Sequence, residues 1–210
     1  MARVNHAFLT QYPNLEGTSL RKPLVFVVDM VNGFLKLGKL HDKEISKIIK
    51  PIQTLLENYH MERIFIVDEH EQDSREFITF PVHCIAGSQE SSIIDELSPF
   101  VTNIIKKNST NTFISKQFQE ILPTLDRYED IIITGCCTDI CISQFALCLN
   151  CWMNEYNKKQ HRIIIPLDCI DTYHVEDKHD AIRMNEYSIQ LMEASGIKVV
   201  QKIVSKEEGL

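Results

Sequence analysis

DIIITGCCTDIC occupies residues 130–141. Its first half is an unbroken apolar, β-branched run, and a Gly, two Cys and a Thr-Asp pair follow, so the stretch reads as a strand turning into a helix. Apolar residues at successive positions mark a strand covered on both faces. Five more runs share this character: LVFVVD at 24–29, RIFIVD at 63–68, NIIKK at 103–107, RIIIPLD at 162–168 and IKVVQKIV at 197–204. Helix-length segments separate them, at 43–59, 116–127, 139–157 and 177–195, and the first places Ile45, Ile48, Ile49, Ile52, Leu55 and Leu56 on one face. Strands covered on both sides and joined by crossover helices predict a single-domain, three-layer α/β/α fold around a six-stranded, mainly parallel, Rossmann-like sheet. Residues 1–21 read as an N-terminal leader and 22–210 as the domain. The segment from 69 to 100 is less regular and reads as a functional loop with a short helix.

Composition narrows the function. With 44% hydrophobic and 24% charged residues, the 210-residue chain is long enough to bury a core without disulfide or metal staples. A net charge of -7 argues against a nucleic-acid partner, since phosphate binding needs clustered Lys and Arg. No apolar run nears the roughly 20 residues of a membrane span, and the start lacks a signal-peptide pattern, so a cytoplasmic location is expected. Cysteines at 84, 136, 137, 141, 148, 151 and 169 are odd in number and scattered, which fits reduced thiols.

In open parallel sheets ligands bind beyond the carboxyl ends of the strands. Here those ends carry Asp29, Asp68, Lys106 or Lys107, Gly135 with Cys136 and Cys137, and Asp168. Cys141 falls at a helix start, where Thr138 or Asp139 is placed to cap the first amides and the helix dipole favours thiolate. Cys148 and Cys151 share the helix and read as small apolar residues on its buried face; their CxxC spacing has no second pair to complete a zinc site. A second cluster is Asp68, His70 and His83, with Asp73 and Glu76 between them. Imidazole and carboxylate in one loop suit Zn, Mn or Fe. Equally, it could be a polar surface loop with His70 solvated and His83 capping a helix.

Together these residues resemble the isochorismatase-like cysteine hydrolases, and among them the nicotinamidases, over nearly the whole chain after residue 22. DMVNGF at 29–34 is similar to the first-strand motif, which implies a catalytic Asp29 and a substrate-lining Phe34. KNSTNTF at 107–113 resembles the catalytic-lysine motif and selects Lys107. GCCTDIC at 135–141 resembles the nucleophile signature, implying Cys141 as nucleophile, a cis peptide between Cys136 and Cys137, and an oxyanion hole from the amides of Cys137 and Cys141. DEH at 68–70 and FPVHC at 80–84 look like the two ends of the family's metal loop, implying Asp68, His70 and His83 as ligands. Many nicotinamidases place a third His between these ends; this chain has none, and Glu76 is chosen over Asp73, which hardens the site toward Mn or Mg. Phe80 stands where an aromatic stacks on the pyridine ring.

The resemblance implies hydrolysis of nicotinamide to nicotinate and ammonia through a Cys thioester. It also implies one divalent ion, Zn foremost with Mn or Fe as alternatives, and a homo-oligomer. In that scheme Lys107 lowers the pKa of both Asp29 and Cys141. Asp168 and His179 are carried by no motif and read as structural. Two rivals remain: a cysteine hydrolase of another small amide or N-carbamoyl compound, and a noncatalytic metal or thiol sensor built on Cys148 and Cys151.

Overall fold

The computed structural model describes residues 1–205, so the end of the expected domain span, 206–210, lies outside the described residues. Strands are β1 Leu15–Glu16, β2 Leu24–Val28, β3 Glu62–Asp68, β4 Ile104–Lys107, β5 Asp130–Gly135, β6 Arg162–Pro166, β7 Lys198–Val200 and β8 Ile203–Val204. Helices are α1 His6–Leu9, α2 Asn32–Leu35, α3 Ile49–Asn58, α4 Lys116–Ile121, α5 Ser143–Glu155 and α6 Ala181–Ala194. Six strands form one sheet in the order β4-β3-β2-β5-β6-β7, every neighbouring pair parallel. This is the expected three-layer fold.

Alternation along the strands builds the two apolar layers. Phe26, Ile131, Ile133 and Ile163 face α4, α5 and α6, where the Phe26 ring lies 5.9 Å from Phe118 and 5.2 Å from Phe145. Val25, Val27, Ile132 and Ile164 face α3, meeting Ile52, Leu55 and Leu56. Phe26 is fully buried at the centre of the first layer, so truncating it to Ala costs about 3–5 kcal/mol.

The structure corrects three sequence boundaries. The last run divides: Lys198–Val200 is the edge strand of the main sheet, whereas Ile203–Val204 pairs with Leu15–Glu16 in a separate two-stranded ribbon. Polar Gln201 and Lys202 mark the break. The helix expected from 177 begins only at Ala181, because the Asp180 carboxylate accepts from the amides of Ile182 and Arg183 and caps it there. Residues 1–21 are folded onto the domain: Phe8 and Tyr12 join the apolar layer under α6, and the Ala2 amide donates to the Leu167 carbonyl at 2.7 Å.

Strand order positions the site. Chain order reverses between β2 and β5, the switch point where open α/β sheets leave a crevice. β4, β3, β2 and β5 lie side by side, so Lys107, Asp68, Asp29 and Gly135 end in one row. Two backbone features seat this row. Asp29 turns out of β2 with φ +54°, and Gly135 ends β5 at φ +111°, where a Cβ would lie 1.9 Å from the Val28 carbonyl oxygen. Only glycine fits there.

Candidate active site

Lys107 is the centre of the cluster. Its buried ammonium lies 2.9 Å from Asp29 Oδ2, donates to Asp68 Oδ1 at 2.7 Å and donates to Cys141 Sγ at 3.8 Å. Lys107, Asp29 and Asp68 are all about fully buried, so each charge is stabilised by the others and not by water. Lys107 holds Asp29 as an ion pair, and both Lys107 and the Cys141 thiol stand close enough to the carboxylate to lower its pKa. A buried carboxylate so placed is available to take a proton.

Burial dominates the titration of the group. It pushes the Asp29 carboxyl up, Lys107 pulls it back and Asp68 raises it again, leaving it at about 6. Burial opposes the Lys107 charge, but Asp29 and Asp68 more than offset this and hold the ammonium well above its ordinary range. Burial also raises the Cys141 thiol, and Asp29 and Asp68 add to that against the pull of Lys107. The direction is opposite to the one expected from the helix start alone: desolvation and two carboxylates push the thiol up against the pull of one cation.

The turn that carries Cys141 also differs from expectation. Thr138–Ile142 is a single π-helical turn running into α5, its first residue is preceded by Cys137, and neither Thr138 nor Asp139 caps it with a side chain. Asp139 is engaged elsewhere, accepting from Thr172 Oγ1 and lying 2.8 Å from His179 Nε2. The peptide between Cys136 and Cys137 is cis. On α5 the buried face is Phe145, Ala146, Leu149 and Met153; Cys148 sits half-buried at its flank, accepting from Asn111, and Cys151 is exposed, so neither lies on the buried face as expected.

Beyond Lys107, Asp68 turns its second oxygen to two imidazoles. Asp68 Oδ2 is 2.9 Å from His70 Nε2 and 3.2 Å from His83 Nε2, and the two Nε2 atoms are 3.2 Å apart. The outer nitrogens are tied down: His83 Nδ1 donates to the Pro81 carbonyl at 2.8 Å and His70 Nδ1 to Asn108 Oδ1 at 2.9 Å. Burial lowers the pKa of the His70 imidazole, but its bond to Asp68 outweighs this and raises it; with both rings neutral, the two Nε2 lone pairs and a carboxylate oxygen would face a cation between them. Ligands at about 2.1 Å from one ion stand about 3.0–3.4 Å apart, so the spacing fits. Both histidines are buried, which removes the solvated alternative, and His83 caps no helix.

Glu76 stands outside this set of three. It lies on the 3₁₀ turn Arg75–Ile78 and lines the same pocket, and burial together with the Asp68 charge raises its carboxyl. Asp73 is exposed.

Cys141, Asp68 and His83 open on one cleft, bounded also by Phe34, Leu40, Glu76, Phe80, Thr110, Cys137, Ile140 and Tyr173. Phe34 and Phe80 flank His83, with ring centres 5.8 and 6.3 Å from it. Sequence reasoning had not singled out Asn108, which sits beside Lys107 in the quoted motif, or Tyr173, which follows β6 without a motif of its own.

A buried acid, lysine and thiol at the switch point of a parallel sheet define an α/β enzyme of the hydrolase class. The chain belongs to the isochorismatase family, whose isochorismatase domain matches residues 23–195. Among curated relatives, Nicotinamidase 1 of Arabidopsis thaliana is 25% identical over 167 residues, covering 70% of this chain and 65% of that protein. The chain thus spans somewhat less than two thirds of that relative. Among solved structures, the Acinetobacter baumanii nicotinamidase pyrazinamidase superposes with a TM-score of 0.71 at 20% identity, over 87% of this chain and 97% of that one. N-carbamoylsarcosine amidase from Thermoplasma acidophilum superposes with a TM-score of 0.64 at 22% identity, over 85% and 95%. One fold thus serves more than one amide, and the substrate must be argued from the pocket.

Proposed function

We propose that this protein is a cysteine amidohydrolase acting on nicotinamide. One observation carries the reading: Cys141 lines the same aromatic-walled cleft as Asp68 and His83, with Lys107 and Asp29 buried behind the thiol and His70 behind Asp68. An amide-cleaving thiol and a set of nitrogen and oxygen ligands then face a single ring-sized substrate.

In this scheme Asp29 takes the thiol proton as sulfur attacks the carboxamide carbon, and Lys107 holds the carboxylate in place while balancing the charge that forms on sulfur. Burial and the two carboxylates favour the thiol over the thiolate, so a base beside it assists attack. The amides of Cys137 and Cys141 hold the tetrahedral oxyanion, each contributing about 3 kcal/mol. Asp29 returns the proton to the departing ammonia, then deprotonates the water that cleaves the thioester and releases nicotinate. Phe34 and Phe80 confine the ring between their faces. Asp68, His70 and His83 would hold one divalent ion, zinc foremost, while Glu76 lines the same cleft outside that set. Its contribution when bound is to fix the pyridine nitrogen so that the amide meets sulfur in line.

The test is ammonia release from a panel of carboxamides, nicotinamide and pyrazinamide first, with and without added Zn, Mn or Fe. Turnover of the aromatic amides that disappears in Cys141→Ala, with unchanged circular dichroism, supports the assignment. Turnover confined to non-aromatic amides or N-carbamoyl compounds would remove nicotinamide as substrate, and activity surviving in Cys141→Ala would remove the nucleophile.

A further inference from the structure

Arg3 lies outside every motif, yet its guanidinium joins three separate parts of the chain. Nε donates to Asp171 Oδ2 at 3.0 Å, Nη1 donates to Asp42 Oδ2 at 2.9 Å, and Nη2 donates to the Thr172 carbonyl. The Arg3 amide adds a bond to Asp171 Oδ1 at 3.1 Å. Asp171 is fully buried and also accepts from Asn185 Nδ2 at 2.8 Å, so its charge has a fixed place in the fold. Asp42 in turn accepts from the backbone amides of His174 and Glu44, each at 2.9 Å. A planar fork of donors suits this task, since it can address two carboxylates and a carbonyl at once.

The two segments so joined each supply a wall of the cleft. Leu40 stands two residues before Asp42, and Tyr173 directly follows Thr172. The Tyr173 ring is backed by His179, stacked at 3.8 Å with 9° between planes, and His179 is held by Asp139 two residues before Cys141. Arg3 itself does not line the cleft.

We propose that Arg3 is a positioning residue that sets the spacing between Leu40 and Tyr173 across the cleft and thereby tunes how tightly the substrate fits. The proposal rests on the amidohydrolase reading of that cleft. Arg3 touches neither the thiol nor its base, and although Asp171 and Thr172 also bond Thr138 and Asp139 of the nucleophile turn, loosening Arg3 is expected to change the fit of the substrate more than the chemical step.

Arg3→Lys keeps a charge near Asp171 but loses the fork, and Asp42→Ala cuts the tie at its other end. Each variant is expected to raise KM for nicotinamide about fivefold with kcat held within about twofold, and the double variant to do no more than the worse single one. Unchanged KM, or kcat falling in step with the change in KM, overturns the proposal. If Arg3→Lys does not fold, Arg3→Gln carries the same two outcomes, since Asp42→Ala also removes the bonds from the His174 and Glu44 amides. Hydrogen exchange supplies a readout free of activity: amides of residues 39–42 and 172–179 should exchange faster in either variant, and unchanged exchange overturns the tie. A wild-type chain that releases no ammonia from nicotinamide defeats the proposed function, while the exchange measurement still decides the role of Arg3.

Discussion

Asp29 is asked to be a base in a place that disfavours its charge. Its carboxyl stands at about 6 because burial and Asp68 raise it more than Lys107 lowers it, so below that pH the group is protonated and cannot accept the thiol proton. A metal ion on Asp68 would offset part of that rise, so the log of kcat/KM at saturating metal should fall with unit slope at or somewhat below about pH 6, and a profile without an acid limb would remove Asp29 as the base. Asn108 makes a second test. It holds the outer nitrogen of His70 at 2.9 Å, and Asn108→Ala should weaken divalent-metal affinity about 10–100-fold by direct metal titration while leaving all three proposed ligands in place. The identities of Asp29, Lys107 and Cys141 were legible in the sequence, because each sits at a strand end or helix start within a motif. Their protonation states were not. Desolvation depends on what surrounds a group in space, and a run of letters around Cys141 does not show that two carboxylates stand behind it.

Elements place these groups through the close approach of β2 and β5. Gly135 combines positive φ with a Val28 carbonyl where a Cβ would go, whereas Gly196, also at positive φ, has nothing within 4 Å of that position. Gly135→Ala should cost about 4 kcal/mol or more in urea unfolding, through both strain and backbone clash, and Gly196→Ala only about 1–2 kcal/mol. Similar losses for the two would mean that φ alone matters and the strand contact does not. Strands were the most legible elements, since runs buried on both faces are apolar at every position. Ends were less so. IKVVQKIV reads as one strand until β8 is seen pairing with Leu15–Glu16, and the start of α6 depends on a cap at Asp180 that competes with several other polar residues between 174 and 180.

At the scale of the whole molecule, the least legible feature was the packing of residues 1–21, because Arg3 meets Asp171 at a separation of 168 positions and no local pattern announces it. Metal should be felt across the molecule as well. An ion bound by the folded chain alone adds about 2.7 kcal/mol at a hundredfold excess over Kd, so chelation should lower Tm by about 5–10 °C, and readdition of the ion should restore it. A Tm indifferent to chelator would count against a site at Asp68, His70 and His83. The strand order has a kinetic consequence too. β2 lies against β5, pairing Leu24 with Ile131 across about 100 residues of intervening chain, so the crevice forms by a long-range closure that is slow relative to helix or hairpin formation. During synthesis, Asp29 leaves the ribosome long before the strand that brings Cys141 beside it. In the proposed scheme the thiol and its base therefore meet only after β5 has been made, and ammonia release can serve as a late clock for folding.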